Sequence, residues 1–255
     1  MKIRTILVEP KLEENIGAVA RVLKNFGFSD LYLVNPPAIG KKAISVSSHA
    51  HDVLTESEIV GSVGEAIKDS VVVAGTTSKH GISGNKHLRM PFFAPQQLKE
   101  KVEGIGRSGT LSILFGSEDT GLTNAVLTLC DIVVCIPTSY VYPVMNLSHA
   151  VAVVLYELRE VSGEVVSGSK TIELARVEAK ERLFSHMSAF LDEIGYKEHK
   201  KDKTLLMLRR ILGRADLTAR EVQTLRGILR KAEWKIGAVK TQEIKGVLDK
   251  VERDE

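Results

Sequence analysis

The stretch IRTILVEPKLEENIGAVARVLKNFGF, residues 3–28, decides the fold. Its first seven residues, Ile3 to Glu9, make a short, mostly apolar run of the kind that suits a strand covered on both faces. From Asn15 onward the period changes. Ile16, Val19, Ala20, Leu23 and Phe26 fall close to one helical stripe, and Gly27 supplies a C-terminal stop.

Working outward, the same texture returns four times. LYLVN (Leu31 to Asn35), VVVAG (Val71 to Gly75), LSILFG (Leu111 to Gly116) and IVVCIP (Ile132 to Pro137) read as further parallel strands. GLTNAVLTLC and NLSHAVAVVLYELREV read as helices between and after them. Alternation of this kind predicts a doubly wound α/β domain with a parallel sheet over residues 1–161. SGEVVSGSK has the small polar residues of a linker, placed at 162–169. Beyond it no run resembles a strand. Helical periodicity through to the end predicts a small all-helical domain over 170–255. Within it, Thr218 and Glu221 have the spacing of a capping box.

The chain carries a net charge of +3, unevenly spread. Residues 170–255 hold 20 Lys and Arg against 15 Asp and Glu, while residues 1–169 are net −2. A basic tail is compatible with a polyanionic partner. No apolar run is long enough to span a bilayer. The start of the chain reads as a strand, with no basic and apolar leader, so a cytoplasmic protein is expected. Cys130 and Cys135 read as small core residues of a reducing compartment. His49 and His51 lack a third ligand nearby, and no metal is assigned.

Ligands of open α/β sheets bind beyond the C-terminal ends of the strands. After the first strand, Asn15, Gly17 and Arg21 share one helix. Asn15 is placed to cap or to hold a ligand, and Gly17 permits a close approach by backbone or substrate. After the third comes a long polar loop with Lys79, His80, Lys86, His87 and Arg89. After the fourth, Gly116 and Gly121 bracket Glu118 and Asp119. This stretch has neither the P-loop lysine nor the glycines of a dinucleotide fingerprint, which ranks a nucleotide-dependent oxidoreductase last. After the fifth, a turn held by Pro143 exposes backbone groups suited to reading an adenine edge. Asn146 and Ser148 then stand at a helix start, where capping is the ordinary role.

Three motifs in order, NIGAVARVLKNFG, LFGSEDTGLTN and IPTSYVYPVMNLSHAVAVVLYE, resemble the SpoU branch of the SPOUT-class RNA 2′-O-ribose methyltransferases. The tail LRRILGRADLTAREVQTLRGILRKAEW resembles the C-terminal extension of TrmJ-type tRNA methyltransferases, which modify the ribose of tRNA nucleotide 32. The resemblance implies an α/β domain tied in a C-terminal trefoil knot, a homodimer, a tRNA substrate and S-adenosylmethionine as methyl donor. It places Thr76, Thr77, Ser78, Gly116, Ile136, Pro143, Val144, Met145 and Leu147 around that donor. It places Asn15, Arg21, Glu118 and Asn146 on the catalytic side, with Arg21 of one subunit near the donor of the other. Bacterial members of this type usually carry serines where this chain has Pro143 and Val144.

A guanidinium stays protonated, so Arg21 is expected to clamp a phosphate beside the target ribose rather than act as a base. Glu118 is expected to align Arg21 or to bond the substrate. Arg209, Arg210, Arg214, Arg226, Arg230 and Lys231 are the candidate tRNA phosphate contacts. The expected activity is methylation of the ribose of nucleotide 32, with cytidine as its base. The alternatives are a ribosomal RNA 2′-O-ribose methyltransferase and a non-catalytic RNA-binding protein on the same scaffold.

Overall fold

The structure is a computed structural model that describes residues 1–78, 92–105, 109–159 and 174–251. Its centre is a seven-stranded, wholly parallel sheet: β1 (Lys2–Val8), β2 (Leu31–Val34), β3 (Glu58–Val60), β4 (Val72–Thr76), β5 (Phe92–Phe93), β6 (Thr110–Phe115) and β7 (Ile132–Val134). The spatial order is β3-β2-β1-β6-β4-β7-β5. Five strands fall on the apolar runs. The other two, β3 and β5, are edge strands of three and two residues with exposed or half-buried side chains. Nothing obliges such strands to be continuously apolar.

Strand side chains alternate between faces. On β1, Ile3 and Leu7 join one core, while Ile6 and Val8 join the other. The first core receives α1 (Glu13–Asn25) and the helix that follows β7, Leu147–Leu158. Ile16, Val19, Ala20 and Leu23 of α1 are fully buried there. Each such aliphatic side chain larger than alanine is worth about 1.5–3 kcal/mol. After Asn25 the helix stops at Gly27, whose φ of +78° suits glycine.

The remaining helices are α2 (Lys41–Ser47), α3 (His51–Thr55), α4 (Val63–Ile67), α5 (Pro95–Ile105), α6 (Asn124–Thr128), α7 (Leu147–Leu158), α8 (Val177–Glu193), α9 (Glu198–Arg214) and α10 (Ala219–Val251). Gly17 meets a neighbour's backbone, not a substrate: a Cβ there would lie 2.2 Å from the carbonyl oxygen of Ala43 in α2.

The C-terminal helices pack on one another through Ala175, Leu183, Leu217 and Val222. The expected capping box opens α10: Thr218 N–H donates to Glu221 Oε2 at 2.7 Å, and Glu221 N–H to Thr218 Oγ1 at 3.2 Å. The linker at 162–169 and the loop with Lys79, His80, Lys86, His87 and Arg89 lie outside the described residues.

These helices are also clasped to the sheet. Lys180 of α8 is 6% exposed and Asp131, just before β7, is 5% exposed. Lys180 Nζ donates to Asp131 Oδ2 and to the Val71 carbonyl, both at 2.9 Å. The same Oδ2 accepts from Val73 N–H at 3.0 Å. Arg210 of α9 is 4% exposed and donates to the carbonyls of Cys130 (2.8 Å) and Leu127 (2.9 Å) at the end of α6. This corrects its place among the tRNA contacts, because its guanidinium is spent on capping a helix inside the protein. Burial also pulls its pKa down from the ordinary value. Arg209 is held by Glu181 and lies 4.2 Å over the Phe184 ring. Arg226 is half-buried, whereas Arg214, Arg230 and Lys231 are exposed.

Among the described residues no helix is long and apolar enough to cross a membrane. Both cysteines are buried and free, and burial pushes the Cys130 thiol up to about 12, as befits an inert core group.

Candidate active site

A crevice opens where β4, β6 and β7 end. Thr76, Thr77 and Ser78 follow β4; Phe115 through Leu122 follow β6; Val134, Ile136, Thr138 and the segment Pro143–Met145 follow β7. Leu147 and Ala150 of α7 close it. All nine residues that the sequence resemblance placed around a methyl donor line this one crevice.

Gly116 is where glycine is required. A Cβ there would lie 2.0 Å from the Gly121 carbonyl carbon and 2.1 Å from the Leu122 nitrogen. The loop Ser117–Thr120 therefore folds back directly on the end of β6. It is cross-tied by Ser117 Oγ to Asp119 Oδ1 at 2.6 Å and by Gly121 N–H to the Ser117 carbonyl at 2.9 Å. The Ser117 hydroxyl holds the Asp119 carboxyl below its usual range. In Gly116→Ala the loop must move out. We expect measurable destabilisation, of the 1–3 kcal/mol that overpacking costs, and loss of donor binding measured by calorimetry.

At the rim of the crevice a directed chain of hydrogen bonds joins three elements. Asn146, the N-cap of α7, accepts from Ser148 N–H (2.9 Å) and Ser148 Oγ (2.8 Å). Its Nδ2 donates to Asn15 Oδ1 at 3.1 Å, and Asn15 Nδ2 donates to Glu118 Oε1 at 2.6 Å. Each amide is oriented by its neighbours, since neither can flip without facing donor to donor. Glu118 also accepts from the backbone N–H groups of Lys11 (2.8 Å) and Leu12 (3.3 Å) at the mouth of α1. A carboxylate suits a helix N-terminus. Burial alone would push the Glu118 carboxyl up; the bonds from Asn15 and the backbone outweigh it and leave it below its ordinary value.

A carboxyl with a depressed folded pKa stabilises the protein above its unfolded value, and that stability is lost as pH falls through the folded one. Glu118→Gln keeps one acceptor and turns an NH2 toward at least one donor. We expect it to cost about 1.5–3 kcal/mol near neutrality. The gap to wild type should narrow in urea unfolding series taken below about pH 4, where the wild-type carboxyl itself protonates.

The structure thus gathers Asn15, Glu118 and Asn146. It does not bring Arg21 to them in the same chain. Arg21 lies on α1 beyond Asn15, exposed, with no hydrogen-bond or ion-pair partner among the described residues. The expectation that Glu118 aligns Arg21 is therefore corrected: its partners are Asn15 and two backbone amides. Ser117 and Thr138 line the crevice and were not singled out from the sequence; the only signal for either is its place just after a strand. His51 contacts Ser47 Oγ at 3.0 Å through Nδ1.

The lining fits S-adenosylmethionine. Ile136, Val144, Met145 and Leu147 offer apolar surface for a purine, hydroxyls follow β4, and the carboxylates of Glu118 and Asp119 suit a cationic ligand.

Fold and site together describe an α/β methylase with its donor crevice at the strand ends. Residues 2–156 match the family model described as SpoU rRNA Methylase family, and residues 178–253 match the C-terminal domain of tRNA methyltransferase TrmJ. The chain belongs to the SpoU methylase family. It is 36% identical over 227 residues to the tRNA (cytidine-2′-O-)-methyltransferase TrmJ of Methanocaldococcus jannaschii, covering 88% of this chain and 96% of that one. It is 33% identical to the tRNA (cytidine/uridine-2′-O-)-methyltransferase TrmJ of Photorhabdus laumondii, over 91% of this chain and 96% of that one. The crystal structure of TrmJ from Z. mobilis superposes with a TM-score of 0.74 at 30% identity, covering 91% of this chain and all of that one.

Proposed function

We propose that this protein methylates the ribose 2′-hydroxyl of nucleotide 32 in the tRNA anticodon loop, with cytidine as the preferred base. The Glu118–Asn15–Asn146 chain at the rim of the crevice carries this reading. Bound S-adenosylmethionine supplies an activated methyl group with a good leaving group, so the protein's tasks are positioning and proton removal. Asn15 and Asn146 each commit one amide N–H to the chain and keep the other for the substrate. They orient the ribose, and Glu118 fixes their geometry. Arg21 clamps the phosphate beside that ribose, and the hydroxyl proton leaves to phosphate or water. The preference for cytidine draws support from the 36% identical relative, which is named for cytidine alone.

The working form in this reading is a cytoplasmic homodimer, in which Arg21 of one subunit serves the crevice of the other. The solvent exposure of Arg21, away from its own Asn15, supports that. Residues 1–161 form the methyltransferase domain, tied in a trefoil knot. The chain's double return, β6 between β1 and β4 and then β7 between β4 and β5, supports this. Residues 170–255 form a helical domain that holds tRNA phosphates through Arg214, Arg230 and Lys231. The match of residues 178–253 to the TrmJ C-terminal domain favours tRNA over ribosomal RNA.

The test is incubation with unmodified tRNA and methyl-labelled S-adenosylmethionine, followed by mass-spectrometric mapping. One labelled ribose at nucleotide 32 is expected. A methyl placed on a base, or only on ribosomal RNA fragments, would refute the reading.

A further inference from the structure

The segment from Pro137 to Asn146 joins β7 to α7 and contains no charged residue. Its foot is pinned: Thr138 Oγ1 donates to the Pro143 carbonyl at 3.0 Å, and both residues line the crevice. The four residues between them form a tip, within which Val141 N–H donates to Ser139 Oγ at 3.2 Å. On that tip Tyr140 is 86% exposed, Val141 92% and Tyr142 80%. Two aromatic rings held in water on either side of a bare valine are costly unless something covers them.

We propose that Tyr140 and Tyr142 form a stacking platform for the unpaired bases flanking the target nucleotide. This rests on the reading of the crevice as an RNA ribose methylation site. The foot of the tip is the crevice wall, so whatever delivers a ribose to the crevice passes beside these rings. The absence of charge rules out a phosphate clamp, whereas a phenol ring offers a flat π face to any base. A tip closed by the Thr138–Pro143 bond loses less freedom on binding than an open loop. Four residues are also far too small a surface to hold a second copy of the chain on their own. The platform makes substrate choice depend on a single-stranded loop, since paired bases cannot splay onto the rings.

The test uses the full chain, tRNA and an isolated anticodon-arm RNA. Tyr140→Ala and Tyr142→Ala are each expected to weaken binding of both RNAs, and to raise KM for tRNA, by about 5- to 150-fold, the range of one lost base–aromatic stack. Tyr→Trp variants should restore binding. Affinity for S-adenosylhomocysteine, by calorimetry, and molar mass, by light scattering, should stay unchanged. Unaltered RNA affinity in both alanine variants overturns the proposal. So does a parallel loss of S-adenosylhomocysteine affinity, which makes the tip a donor wall, or a change in mass, which makes it a subunit contact. Because RNA binding is read without turnover, the result stands apart from whether nucleotide 32 is the methylated position.

Discussion

Arg21→Ala is expected to lose methyl transfer by about 10²–10³-fold or more while S-adenosylmethionine binds as in wild type. That is the scale of removing one donor preorganised against developing charge. The reasoning is spatial. Arg21 is exposed, outside the crevice lining and outside the Glu118–Asn15–Asn146 chain, so its removal disturbs neither. Single-turnover kinetics with saturating tRNA isolate the chemical step, and calorimetry reports the donor. Arg21→Lys should recover only part of the rate, because an ammonium cannot reproduce a bidentate grip on phosphate. Full activity in Arg21→Ala would remove the catalytic assignment. Mixing Arg21→Ala with a second inactive variant, Asn146→Ala, adds a subunit readout. Activity reappearing in the mixture is expected if the arginine serves the neighbouring crevice.

Lys180→Ala is expected to be among the most destabilising single changes in the protein, by about 3–5 kcal/mol, the cost of leaving one member of a buried ion pair alone. Asp131 would keep its bond from Val73 N–H but lose its cation in a site almost closed to water. Urea unfolding monitored by far-ultraviolet circular dichroism measures this. A change below about 1 kcal/mol would mean that water enters and screens the carboxylate. The clasp also governs how the tail can be dissected. Cutting the chain at the linker strips both Lys180 and Arg210 from the sheet domain, so loss of tRNA binding in such a fragment mixes two causes. Charge reversal at the exposed Arg214, Arg230 and Lys231 leaves the clasp intact and isolates the electrostatic part, which steepens with falling salt.

The apolar runs of β1, β2, β4, β6 and β7 were legible because a parallel strand buried on both faces has little choice of residue. The edge strands β3 and β5 carry no such constraint and left no pattern. The crevice was legible because strand ends mark it and the three motifs follow in order. What the sequence concealed was polar. Lys180 reads as a solvated helix lysine and Arg210 as part of a basic surface, since periodicity assigns charged residues outward. The clue to Arg210 is Gly213, three residues on and therefore on the same helix face. A Cβ on Gly213 would come within 3.0 Å of Asp131, which shows how closely that face lies against the sheet. The pairing of Asn15 with Asn146, 131 residues apart, leaves no trace in local spacing.

The strand order carries a consequence for how the molecule comes into being. β1 is flanked by β2 and by β6, and Lys2 is in register with Thr110. The middle of the sheet thus stays open until more than a hundred residues have been synthesised, and β4 gains both neighbours only once Val134 has emerged. Contacts so distant along the chain slow the search for the native state. During that delay the nascent flanks of β1 and β4 are bare edges of the type that recruits other chains. Folding yield in the cell, more than final stability, is then the quantity this architecture puts at risk.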